Sequence, residues 1–250
     1  MMATAAPSSY WTVSRSPRYS LTFALPLLLL YEVLAIAVNQ STATGLRNGA
    51  DVLLRSLATM LLGARGPVIV GGLLVVVMVA LAVRDARRHP GGVRPRLLVL
   101  MLAESAALAL AFGIVVGLIT ARLLDVLGAL AIGQFEGVPW PSALMISLGA
   151  GLYEELVFRV LLVSGLLAAA RFLFGWGRAP AAAFAVITGA LIFSAFHYVG
   201  PYGDPLELPS FLFRAIAGVA FSALYVTRGF GITAWTHALY DVFVLAARGA

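Results

Sequence analysis

Seven apolar runs, each near the length needed to cross a bilayer, dominate this chain. A helix spanning the hydrocarbon core needs ~20 mostly apolar residues, because lipid offers no partner for backbone N–H and C=O groups. Residues 20–38, 67–83, 97–119, 143–170, 180–198, 209–227 and 230–247 meet that requirement. The segment 51–63 carries Asp51 and Arg55 and is too short. It is expected to be interfacial, re-entrant or part of an eighth span. The stretch 123–135, with Asp125 and two glycines, is expected to behave similarly. Gly-Pro, Pro-Gly-Gly and Val-Pro-Trp-Pro clusters mark loops at 66–67, 90–92 and 138–141. Only 11% of residues are charged and 61% are hydrophobic, with a mean hydropathy of +0.97. Soluble domains are nearer a quarter charged. The expected fold is therefore all-α, a polytopic transmembrane bundle of about seven or eight spans. Residues 1–141 supply N-terminal helices and loops, and residues 142–250 a core, in one continuous membrane domain.

All 17 basic residues are arginine, and the net charge is +6. The arginines cluster in loops, as the positive-inside rule requires, so nucleic acid is not an expected partner. Arg84, Arg87, Arg88, Arg94, Arg96, Arg171, Arg178 and Arg228 fall on one side of a seven-span arrangement, which that rule assigns to the cytoplasm. Arg47 and Arg65 fall on the other side. Arg15 and Arg18 precede the first run, and Ala35-Ile-Ala37 resembles a signal-peptidase site, but Glu32 within the run favours an uncleaved helix. The composition suggests a GC-rich bacterial source and hence the bacterial cytoplasmic membrane. The absence of cysteine excludes disulfides and Cys-ligated metal.

Against this background, adjacent carboxylates at Glu154 and Glu155 stand out. A carboxylate at the bilayer centre costs at least ~2.5–3.5 kcal/mol on insertion scales. Residues four apart share a helix face, so Glu155 and Arg159 are expected to pair. Glu154 is turned ~100° from its neighbour and is expected to be free to act as a general base or acid. A structural Glu-Arg lock with a second Glu in a wet cleft fits the same residues. Of three histidines, His89 lies in a basic loop, His197 ends the run Ala190–His197, and His237 shares a helix face with Asp241. Phe193 shares a face with His197 and is expected to wall the pocket beside it. Polar groups of this kind turn toward the bundle interior rather than lipid. Glu32 and Glu104 are expected to pair with Arg55 or Arg214 or to line the cavity. Gly149, Gly151, Gly165, Gly189 and Gly218 are expected to permit close helix packing.

Glu154-Glu155-x-x-x-Arg159, Phe193-x-x-x-His197 and His237-x-x-x-Asp241 resemble, in order and spacing, the three motifs of the CPBP intramembrane proteases. That family comprises the type II CAAX prenyl proteases and bacteriocin-processing and immunity-type proteins. The resemblance covers roughly residues 142–247. It implies an intramembrane endopeptidase in which Glu154 and His197 activate water, His237 and Asp241 stabilise the oxyanion, and Glu155 with Arg159 braces the site. The last motif position is often Asn in the family, and an ionised Asp241 accepts but cannot donate a hydrogen bond. Asp241 would then be protonated, orient His237 or bind metal. No cofactor is expected; zinc held by Glu154, His197, His237 and Asp241 is the alternative. The expected partners are membrane lipids and a membrane-anchored or lipid-modified peptide or protein substrate. A non-catalytic immunity-type binding protein and an ion-coupled transporter remain as other readings. Transport is disfavoured by the lack of an internal repeat.

Overall fold

The computed structural model describes residues 9–40, 45–89, 91–127, 138–200 and 203–249. Every regular element among them is helical. A short α1 (Tyr10–Val13) leads into α2 (Pro17–Asn39), followed by α3 (Gly49–Leu62), α4 (Gly66–Arg88) and α5 (Pro95–Leu127). A single long helix then comprises α6 (Trp140–Gly149), a π-helical stretch Ala150–Val163 and α7 (Ser164–Leu173). The chain closes with α8 (Arg178–Phe196), α9 (Leu208–Arg228) and α10 (Phe230–Gly249). Among the described residues, seven helical stretches are long and apolar enough to cross a membrane. The protein is thus a polytopic helical membrane protein, as the hydrophobic runs indicate.

The stretch Gly49–Arg88 is not one straight rod. Gly63 has φ +71, a left-handed conformation that favours glycine, and a Cβ at Gly66 would collide with the backbone of Ala58. The chain therefore doubles back, and α3 packs along α4 as one arm of a helical hairpin. At 14 residues α3 is ~21 Å long, short of the ~30 Å hydrocarbon core. It is a hairpin arm rather than an eighth span. The stretch 123–135 also departs from expectation in part: through Leu127 it simply continues α5, and residues 128–137 lie outside the described residues. The 138–141 cluster marks the start of α6 as much as a loop, with Pro139 capping and Pro141 in the first turn.

Alternating helix direction puts Arg84, Arg87, Arg88, Arg94, Arg96, Arg171, Arg178 and Arg228 at one end. Arg228 is fixed there by Glu104, through Nε–Oε1 at 2.6 Å and Nη2–Oε2 at 2.7 Å, and by Ser14. Tyr10 donates to the same carboxylate. Burial, and then Glu104, hold the Tyr10 phenol above its ordinary pKa. The main apolar core lies between α2, α6, the π stretch and α10, around Leu27, Tyr31, Met145, Leu152, Ala234 and Ala238. The N-terminal helices are thereby built into the packing that holds the C-terminal ones.

Candidate active site

The two acidic neighbours lie in the π-helical stretch. Its hydrogen bonds run five residues back, as from the Ser164 N–H to the Arg159 carbonyl. Such segments are rare and recur at functional sites. Almost its whole inner face is buried, including Glu154 at 7% exposure and Glu155 and Arg159 at 0%. The stretch meets α10 closely at Gly151, where a Cβ would collide with the Ala234 carbonyl and lie 2.6 Å from the Ala238 Cβ. That contact sets His237, one residue before Ala238, beside the acidic pair.

Glu155 is the hub. Its Oε1 lies 3.1 Å from Nη1 of Arg159 and accepts a hydrogen bond from Nδ1 of His237 at 2.7 Å. The Arg159 contact is a charge contact without hydrogen-bond alignment, since none of the three guanidinium nitrogens has an aligned protein partner. The guanidinium instead lies over the rings of Phe193, 4.3 Å away, and Phe221, 5.5 Å away, where ring faces attract cations. Phe221 also stacks on His237, with centroids 4.3 Å apart. The expected Glu155–Arg159 pair is therefore present, but Glu155 equally orients His237, which its local spacing does not reveal. The Nε2 of His237 faces Asp241 Oδ2 at 3.9 Å.

Glu154 is not unpartnered. Its Oε1 accepts a hydrogen bond of 2.9 Å from Nδ2 of Asn48, the residue capping α3. Its Oε2 lies 3.9 Å from Nε2 of His197. His197 follows the last residue of α8, and its Nδ1 donates to the Phe193 carbonyl at 2.9 Å. A carbonyl can only accept, so Nδ1 carries a proton, and in the neutral form of the ring Nε2 offers its lone pair on the side of Glu154. Phe193 stands edge-on to His197, with centroids 4.9 Å apart.

The structure thus gathers Glu154, Glu155, Arg159, His197, His237 and Asp241 between the π stretch, α8 and α10. Asn48 is the member that the motif pattern does not contain. Its signal is an Asn immediately before Gly-Ala-Asp, an N-cap pattern at a helix start. Glu32, Glu104 and Arg214 also find partners. Glu32 pairs with Arg47 and Arg55, at 3.2 and 3.1 Å, and accepts from Tyr153 at 3.0 Å. Glu104 takes Arg228, and Arg214 pairs with Asp204. Arg47 is neutralised by Glu32 and Asp51, so it carries little weight as a free loop charge. Among the described residues no three of His, Asp and Glu are disposed to share one metal ion. Glu154 with His197 and His237 with Asp241 form two separate pairs.

Buried carboxylates thus face imidazoles inside the helical membrane bundle. Residues 136–243 match the family described as Type II CAAX prenyl endopeptidase Rce1-like. This part of the chain, which holds all three motifs, is thus similar to that family, in line with the resemblance of those motifs to the CPBP intramembrane proteases. No significant match was found to a curated protein or to a solved structure.

Proposed function

We propose that the protein is an intramembrane endopeptidase that cleaves membrane-anchored or lipid-modified peptides with a water activated by Glu154 and His197. The observation that carries this reading is the 3.9 Å gap between Glu154 Oε2 and His197 Nε2. It is too long for a direct hydrogen bond and the right size for one water to touch both groups. Glu154 takes a proton from that water, and the His197 lone pair orients it, so the oxygen lone pair is aimed at a peptide carbonyl. As the carbonyl oxygen gains charge, Nε2 of His237 is the nearby donor when that ring is an imidazolium. Glu155 and Asp241 flank it on both sides and would neutralise that charge. Glu154 then returns its proton to the leaving amine. An apolar cavity of about 350 Å³ between α3, α4 and the π stretch, lined by Leu54, Val70, Leu74, Leu156 and Val160, reaches Tyr153 and has room for an apolar part of the substrate.

The test uses purified protein in lipid nanodiscs and a quenched fluorogenic peptide carrying a prenyl or acyl chain, with the unmodified peptide alongside. The wild type is expected to cleave the lipidated peptide. Glu154→Gln keeps the size of the side chain but cannot take a proton, so kcat should fall ~10²–10⁴-fold, as should that of His197→Ala. Equal cleavage by wild type and Glu154→Gln, or none by wild type, overturns the reading. Asp241→Asn separates the chemistries. If Asp241 orients His237, activity persists and a chelator has no effect. Loss of activity in Asp241→Asn, with chelator abolishing and zinc restoring the wild-type rate, would establish metal dependence instead.

A further inference from the structure

We propose that Asn48, outside the family-matched segment, is a positioning residue for Glu154: its amide holds one carboxylate oxygen so that the other faces His197. The proposal rests on Glu154 acting as the base. A carboxamide has one accepting end and one donating end. Oδ1 of Asn48 accepts from the Ala50 N–H at 2.9 Å, so Nδ2 must face Glu154 Oε1, also at 2.9 Å. Reversing the amide would set oxygen against carboxylate and NH₂ against N–H. The helix cap therefore fixes the polarity of the group presented to the base.

The cap is itself anchored. Asn48 is 3% exposed, and its backbone N–H donates to Tyr31 Oη at 3.2 Å, which in turn donates to Asp51 at 2.8 Å. Arg47 and Arg55 bind Asp51 at 2.8 and 2.7 Å and also reach Glu32. Burial works against the charge on Arg47, but its bonds to Asp51 and Glu32 outweigh that and raise its pKa. On the other side, the absence of a side chain at Gly149 makes room. A Cβ there would sit 2.7 Å from the Asn48 Cβ. The hairpin is thus locked at a depth that brings its first residue to the acidic pair. Only Glu154 Oε2 is left to face the gap to His197.

Asn48→Ser and Asn48→Asp test this, because both side chains cap helices about as well as Asn. Neither supplies an amide donor. With the lipidated fluorogenic peptide, both are expected to lose about 10²-fold in kcat, the scale of an ~1 Å misplacement, with KM within about twofold of wild type. A purely capping role leaves kcat unchanged in both, and that result overturns the proposal. A double-mutant cycle on thermal unfolding reads the contact without any substrate. Asn48→Asp sets two carboxylates face to face and should lower Tm by roughly 4 °C. Adding Glu154→Gln should restore it, since the new amide donates to the new carboxylate. Additive changes would show that the two residues are not coupled and overturn the proposal. Restoration in the cycle without wild-type cleavage would support the Asn48–Glu154 contact and count against the peptidase reading.

Discussion

Glu154 and Glu155 are chain neighbours with separate tasks, because the ~100° step between adjacent helix residues sends them to different partners. Glu155, itself at zero exposure, holds Arg159 and His237. Glu154 meets an amide and an imidazole across a gap. Glu155→Ala should therefore destabilise the protein more than Glu154→Ala. It strands a buried guanidinium that already lacks aligned hydrogen bonds, a loss on the order of 3–5 kcal/mol. Removing Glu154 leaves only a neutral amide without its acceptor. Melting curves in one detergent rank the two variants, and an equal or inverted order would show that the structural carboxylate is the other one. The motif spacing made these six side chains legible as a group, since each i,i+4 pair lies on one helix face. It could not show the Glu155–His237 bond, which joins residues 82 apart, nor Asn48, which is 106 residues from Glu154. Contacts between helices depend on packing, and periodicity within one helix does not encode them.

At the scale of elements, hydrophobic length was a good guide and local geometry was not. The seven spans follow from apolar runs because the bilayer imposes a minimum length. The π-helical stretch leaves no composition signal that separates it from an α-helix, and the hairpin turn at 63–66 is marked only by its glycines. Among the glycines read as packing positions, Gly149, Gly151, Gly189 and Gly218 do have close neighbours, whereas a Cβ at Gly165 would meet nothing within 4 Å. Gly151→Ala should thus drive the π stretch from α10 and strain the Glu155–His237 bond. Overpacking of this kind costs about 1–3 kcal/mol, and a melting temperature lower by several degrees is expected. Gly165→Ala is the matched control and should melt no lower than wild type, because it adds helix propensity without a clash. Equal melting temperatures for the two variants would show that the α10 contact yields easily.

On the scale of the whole molecule, the Arg-rich loops lie at one end and residues 198–200 and 203–207, beyond His197, at the other. The positive-inside rule places the first end in the cytoplasm, and so the end that carries His197 on the opposite side. The chain has no cysteine, so an introduced one is unique. From loop charge, an impermeant maleimide should label Val199→Cys in intact bacterial cells, and Gly92→Cys only after lysis. The reverse pattern would turn the site toward the cytosol. The hairpin arm α3 has a further consequence for reagent supply. Hydrolysis consumes a water molecule at every turnover, and hydrocarbon holds almost none. Because α3 begins at the depth of Glu154 instead of crossing, the partly exposed side chains of Arg47 and Arg55 are carried to the level of Asn48, where Glu32 of α2 meets them. The ion pairs that lock the hairpin thereby set polar, partly exposed groups, rather than hydrocarbon, beside the wall that holds Glu154.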